Sequence, residues 1–230
     1  MINDLYPVPD WQLLIQSKRP VIFDVGCNDG GHSRIFQHLF PECMIHAFEP
    51  DSRAIEHCKK RIALGQIDLA RFQLFEGVLS DVQGTLEFWP SSGHVENAVW
   101  YESGWDLSGS TLKPVANKHP FVEGIIFESP VLVRSTTLDN YVEESAIQEI
   151  DLLWMDVQGA EFNVLKGSVN NLNKISYIYL ECEASVVYEG QPTLHTITKF
   201  LQNYSFKRIA NYPDGNYLFA SEKSLSTLIR

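Results

Sequence analysis

Val21-Ile22-Phe23-Asp24-Val25-Gly26-Cys27-Asn28-Asp29-Gly30-Gly31 is the stretch whose reading decides the fold. A β-branched and aromatic run ends in an acid, a glycine-rich turn follows, and Ile35, Phe36, Leu39 and Phe40 then recur at helical spacing. The stretch predicts a strand, a tight loop and a helix. Glycine suits that loop because, lacking a Cβ, it takes positive φ and lets a ligand lie on the backbone. The helix N-terminus beyond it carries free N–H groups.

The acid at the strand end selects the ligand. A dinucleotide fingerprint, G-x-G-x-x-G, needs glycine where Asn28 stands, so that a pyrophosphate can reach the helix. Asp24, Gly26 and Gly30 give D-x-G-x-x-x-G instead. A carboxylate there repels a diphosphate and suits a ligand bearing an amine or a positive charge. S-adenosylmethionine carries an α-amino group and a sulfonium and no phosphate, and Asn28 and Ser33 complete the first part of its expected seat.

The chain has 230 residues, a formal net charge of -11 and a pI near 5.0. That length predicts one α/β domain over 1–230, with 1–20 as an N-terminal extension. The acidic balance argues against nucleic acid, whose phosphates need a basic face. Lys59-Lys60-Arg61 ends a predicted helix and complements its dipole. Cys27, Cys43, Cys58 and Cys182 form no C-x-x-C pair and no zinc spacing, so they are expected as reduced, mostly buried thiols. Met1-Ile2-Asn3-Asp4-Leu5 has no leader pattern and no apolar run is long enough to span a membrane, which predicts a cytoplasmic protein.

Outward from the first strand, Trp11 to Ile15 predicts a short helix at the edge of the domain. Met44 to Pro50 predicts a second strand, and its terminal Glu49 lies about twenty residues past the glycine loop, where a Rossmann-like domain places the carboxylate that takes a ribose diol. Asp51 caps the next helix and Gly65 closes it. Phe72 to Leu79 predicts a third strand, with Glu76, Gly77 and Val78 as the wall for an adenine ring. Thr85 to Trp89 is a fourth strand-like run. Residues 91–130 show little periodicity but many aromatics, and Asn97 to Leu112 is expected to cover the substrate. Val131 to Leu138 returns to strand character and Asp139 opens a helix. Ile150 to Val157 is a strand containing Asp156 at its end; Ile175 to Leu180 is another, followed by Glu181. Thr193 to Tyr204 is amphipathic, and Phe206 to Asn211 with Tyr217 to Ala220 predicts a hairpin. A hairpin after β-α-β units implies one antiparallel strand.

Together these residues resemble the FkbM family of methyltransferases. The matching pieces are Asp24 through Gly30, Phe48-Glu49-Pro50, Leu79-Ser80-Asp81 with Gly84, Ser108 through Leu112, Thr137-Leu138-Asp139 and Asp151 through Gly167. The last resembles a family signature that often has lysine where Trp154 stands and glutamate where Gln158 stands. The resemblance implies a Rossmann-like class I methyltransferase fold with a seven-stranded, mostly parallel sheet. It also implies S-adenosylmethionine as donor and O-methylation of a sugar, polyketide or other small-molecule hydroxyl.

The cofactor-binding candidates are therefore Asp24, Gly26, Asn28, Gly30, Ser33, Glu49, Pro50, Gly77, Val78 and Asp156. Removing the acceptor proton needs a base, and Asp156, then Glu161, Glu181 and His195, are the candidates. Asp156, Glu181 and Glu183 form an alternative magnesium set, which lacks a tight ligand spacing, so no metal is expected. Two further readings remain open on this fold: a nicotinamide-dependent oxidoreductase and an inactive binding module. An amino-group or nucleic-acid methyltransferase would carry an Asn/Asp-Pro-Pro-aromatic tetrad where Asp156-Val157-Gln158-Gly159 stands.

Overall fold

The computed structural model describes residues 9–95, 107–182 and 184–228. A short helix, α1 (Trp11–Leu14), is capped by Asp10, which accepts the Leu13 N–H. β1 (Val21–Val25) leads into α2 (Gly31–Leu39), β2 (Met44–Glu49) into α3 (Ser52–Ala63), and β3 (Phe72–Glu76) into β4 (Val78–Leu79). Then come β5 (Gly84–Phe88), β6 (Ser91–Gly93), β7 (Ile125–Phe127), β8 (Val131–Thr136), α4 (Leu138–Glu144) and β9 (Ile150–Met155). The remaining elements are α5 (Glu161–Lys166), β10 (Ile175–Glu181), α6 (Leu194–Gln202), β11 (Phe206–Tyr212), β12 (Asn216–Ser221) and α7 (Glu222–Leu228).

Seven strands form one sheet in the order β11-β12-β10-β9-β1-β2-β3. β10, β9, β1, β2 and β3 pair in parallel, while β12 runs antiparallel to both β10 and β11. This is the mostly parallel sheet with one reversed strand that the hairpin predicts. Strand side chains alternate between two apolar layers, as the two-residue period of a strand requires. Phe23, Leu153, Ile178 and Leu180 face one layer, with Val142 of α4 and Ile197 of α6. Ile22, Leu152, Tyr177 and Tyr179 face the other, with Phe36 of α2 and Cys58 of α3. Each fully buried Ile or Leu contributes about 1.5–3 kcal/mol of apolar transfer. With both faces covered, the strand ends are where polar groups gather.

Four expectations change. Phe72 to Leu79 is two strands, because the chain turns at Gly77: a Cβ there would lie 2.5 Å from the Arg134 carbonyl oxygen. β4 consequently leaves the main sheet and joins β8, which also pairs with β5. Residues 91–130 contain strand after all, since β6 and β7 pair. And α1 lies over the middle of the sheet, with Trp11 edge-on to Trp154 of β9 and Tyr179 of β10. The α4 helix begins one residue earlier than Asp139, capped by Thr137.

Caps and closures otherwise follow the local chemistry. Asp51 caps α3 by accepting the Arg53 N–H, and Gly65 follows the helix with φ of 69°. All four cysteines are buried and free. Lys60 and Arg61 occupy the last turn of α3, where Arg61 pairs with Asp29 of the first loop. No helix among the described residues is long and apolar enough to cross a membrane.

Candidate active site

The turn after β1 is set by backbone packing. Gly26 has φ of 81°, and a Cβ on it would sit 1.9 Å from the Asp156 carbonyl oxygen, so the β1 and β9 ends touch through bare backbone. The Gly26 and Cys27 N–H groups donate to the Phe48 carbonyl, which ties the same turn to β2. Three neighbouring strand ends thus converge at one point.

Glu49 stands at that point. Its Oε2 accepts the Asn28 N–H at 2.8 Å and its Oε1 accepts the Asp51 N–H at 2.8 Å. The two N–H groups fix the orientation of this carboxylate. Beside it runs a cleft of about 630 Å³, the open solvent at its mouth included. Gly26, Asn28, Glu49 and Pro50 line one side and Gly77 and Val78 the end. Leu107 and Gly109 through Thr111 also line it, so the described part of the expected cover reaches the cleft; 97–106 lie outside the described residues. Trp89 and Ser110 exchange backbone hydrogen bonds at the base of this segment.

At the other end of the cleft, Asp156 follows β9. Gln158, with φ of 53°, donates from Nε2 to Asp156 Oδ1 at 2.8 Å and to Glu181 Oε2 at 3.3 Å, bridging the two carboxylates. Its carbonyl accepts from Ser110 Oγ at 2.8 Å, which fastens the cover to the strand end. Tyr188 donates to the Ser108 carbonyl at 2.6 Å. A non-glycine residue held at positive φ is strained unless its surroundings hold it, and here Glu161 does so. Glu161 Oε1 accepts the N–H groups of Val157 and Gly159, on either side of Gln158.

Glu161 is buried, and burial, with Asp156 adding repulsion, raises its carboxyl from the usual 4.5 to about 8. The folded protein therefore holds a proton there between about pH 4.5 and 8 that the unfolded chain releases. Folding stability from this group falls as pH rises through that window, by about 1.4 kcal/mol per pH unit. Glu161→Gln, which keeps the accepting oxygen, should flatten that slope. Thermal melts across about pH 5 to 8 should show the variant gaining on the wild type as pH rises; parallel curves would place the proton elsewhere.

The other predicted residues divide between cleft and interior. Asp24 is fully buried and lies outside the cleft lining: Oδ2 accepts from Ser33 Oγ at 2.5 Å, and Oδ1 has no hydrogen-bond partner among the described residues. Burial raises its carboxyl above the usual range, partly opposed by His32. Gly30 packs on Ile67 and Cys58, away from the cleft. Glu76 is exposed and pairs with Lys59 at 2.6 Å, so of the three residues expected as an adenine wall only Gly77 and Val78 line the cleft. His195 is exposed on α6 and lines neither the cleft nor the small cavity beside it, because the first turn of α6 faces outward. Glu161 braces the turn from within that small cavity, which Glu181 also lines. Glu183 lies outside the described residues, and among those described no cluster of His, Cys, Asp and Glu could hold a metal ion. Trp154, at the position where lysine is frequent, stacks on Tyr179 at 4.3 Å and faces α2, so it lies in the core.

Gln158 and Tyr188 were not among the predicted site residues. The available signal for Gln158 was its place in Asp156-Val157-Gln158-Gly159, a strand-end acid followed by a glycine turn. Tyr188 reaches the site through a contact eighty residues distant in sequence, which no local pattern carries.

The strand order, the reversed β12 and the cleft at the carboxyl edge define a class I methyltransferase fold. A crystal structure of methyltransferase FkbM from Methylobacillus flagellatus KT shares it, with a TM-score of 0.55 and 12% identity; the match covers 94% of this chain and 48% of that one, so this chain spans about half its length. The 2-O-methyltransferase NoeI of Sinorhizobium fredii (strain NBRC 101917 / NGR234) is 38% identical over 202 residues, 88% of this chain and 78% of that protein. The methyltransferase FkbM domain family matches residues 24–208. The chain belongs to that family and is a methyltransferase.

Proposed function

We propose that the O-methyl transfer performed by this chain uses S-adenosylmethionine as donor and a hydroxyl of a carbohydrate-like small molecule as acceptor, in the cytoplasm. The observation that carries the donor is Glu49, its carboxylate oriented by two backbone N–H groups on the cleft rim where a ribose diol would be held. The backbone at Gly26 supports it, since any side chain there would collide with Asp156. When bound, the donor supplies a methyl group on a sulfonium.

The protein's part is to orient two reactants, keep water out and accept one proton. Glu49 holds the diol, and Gly77 and Val78 flank the base. Asp156 takes the acceptor's hydroxyl proton, and Gln158 fixes one of its oxygens so that the other is presented in one direction. Glu181, on the far side of the same amide, accepts from a neighbouring hydroxyl of a polyhydroxylated acceptor. The cover segment from Leu107 to Thr111 closes the cleft against solvent. A positioned base of this kind contributes ~10²–10⁴ in rate.

The direct test is thermal stabilisation by S-adenosylhomocysteine. At about a hundred times its dissociation constant it should add ~2.7 kcal/mol, or roughly 5–10 °C for a chain of this size. A larger shift with a nicotinamide dinucleotide would favour the oxidoreductase reading, and no shift with either ligand the inactive binding module.

A further inference from the structure

We propose that Tyr188 is a positioning residue of the methyl transfer: its hydroxyl holds the Ser108 peptide, and with it the wall formed by residues 109–111, closed over the bound donor. This rests on the donor reading above and adds the group that keeps the cleft shut while both reactants are in place.

Apart from the bridge between Ser110 and Trp89, residues 107–112 belong to no strand or helix, so their position is set by what grips them. Ser108 is gripped at both ends of its backbone. Its N–H donates to the buried Ser91 Oγ at 3.0 Å, and its carbonyl accepts from Tyr188 Oη at 2.6 Å. Two residues on, Ser110 Oγ donates to the Gln158 carbonyl and accepts the Leu112 N–H at 3.0 Å. Gly109, between them, lies on the Phe88 ring, which a Cβ would meet at 2.4 Å.

The two ends of Ser108 lead to opposite ends of the cleft. The Ser91 carbonyl accepts from Arg53, whose guanidinium pairs with Asp51, and the Asp51 N–H is held by Glu49. On the other side, the Tyr188 hydroxyl lies 3.5 Å from Gln158 Oε1, while Gln158 Nε2 donates to Asp156. The cover is thus hung between the donor end and the base end.

Tyr188 is itself a fixed post. It is buried, its ring stands edge-on to Phe127, and Gly159 leaves it room: a Cβ there would lie 3.1 Å from Tyr188 Cδ2. The Val187 and Tyr188 N–H groups donate to Gln191 Oε1, and the backbone of Val187 and Glu189 bonds to that of Val115 and Lys113. A hydroxyl on so fixed a ring, donating to a main-chain carbonyl, sets the place of the wall. A donor enclosed by that wall leaves when these contacts give way, so their strength enters its dissociation rate.

Tyr188→Phe keeps the ring and removes the hydroxyl. In stopped flow, S-adenosylhomocysteine should leave the full-length variant about 3- to 10-fold faster than the wild type, the factor carried by one net hydrogen bond, and associate at a rate within about twofold. Amide exchange of peptides spanning 107–115 gives a second reading: the ligand should slow it in the wild type, and about 3- to 10-fold less in the variant. A tyrosine that serves the fold alone would speed exchange equally with and without ligand and leave dissociation unchanged, and that result overturns the proposal. Ser110→Ala removes the second fastening of the same segment without touching the buried ring. If Tyr188→Phe does not fold, the same two readings on Ser110→Ala decide, faster release supporting the closed wall and unchanged release overturning it. A wild type that does not bind S-adenosylhomocysteine overturns the donor reading and this proposal with it, which the wild-type measurement shows by itself.

Discussion

Glu49→Ala should weaken S-adenosylhomocysteine binding by about 1.5–3 kcal/mol, roughly 10- to 150-fold, the usual loss for charge-assisted hydrogen bonds to a ligand. The carboxylate has two tasks, and the substitution removes both. It would accept the ribose hydroxyls, and it already accepts the N–H groups of Asn28 and Asp51. Loss of the second task loosens the turn that forms one wall of the cleft, so the alanine variant alone would confuse binding with support. Glu49→Gln separates them, because its amide oxygen still accepts one N–H while the negative charge is gone. The expected order of affinity in isothermal calorimetry is wild type, then glutamine, then alanine. Unchanged affinity in an alanine variant that melts like the wild type would remove the ribose assignment.

The order of strands was legible because each βα unit carries its own punctuation: Gly26 after β1, Asp51 before α3, and Pro213-Asp214-Gly215 between β11 and β12. The break at Gly77 was not. It arises where Arg134, fifty-seven residues later, crosses the chain, and only the pairing of β4 with β8 shows it. The same division runs through the site. Glu49 and Asp156 were readable as acids ending neighbouring strands, since parallel strands bring their carboxyl ends to one edge. Asp24 had the same signature, yet strand alternation points it to the layer of Ile22, where Ser33 meets it. Whether a strand-end acid faces ligand or interior depends on one residue of register, which the local pattern at a turn does not carry. His195 failed for a related reason: an amphipathic period identifies the buried stripe of a helix but not which end approaches the cleft.

Asp156→Asn should lower kcat about 10²–10⁴-fold, the range for losing a positioned general base, while S-adenosylhomocysteine affinity stays within about twofold, as expected for a group that acts on the acceptor. Asparagine is close to isosteric, and its amide oxygen can still accept from Gln158 Nε2, so the bridge to Glu181 and the strained turn around Gln158 are retained. What disappears is the ability to take a proton from a hydroxyl that is a weak nucleophile while protonated. Gln158→Leu provides the complementary measurement. It keeps Asp156 but removes the donor that orients it, so kcat should fall by about an order of magnitude, the rate equivalent of losing roughly one hydrogen bond of 1–1.5 kcal/mol. If Asp156 acts as the base through the orientation imposed by Gln158, the double variant should be no slower than Asp156→Asn alone, because two residues acting as one unit are not additive. Full additivity would assign Gln158 a separate role at the acceptor. A kcat for Asp156→Asn within about threefold of the wild type, well below the effect expected of a general base, would move the proton-accepting role to Glu181 across the same amide.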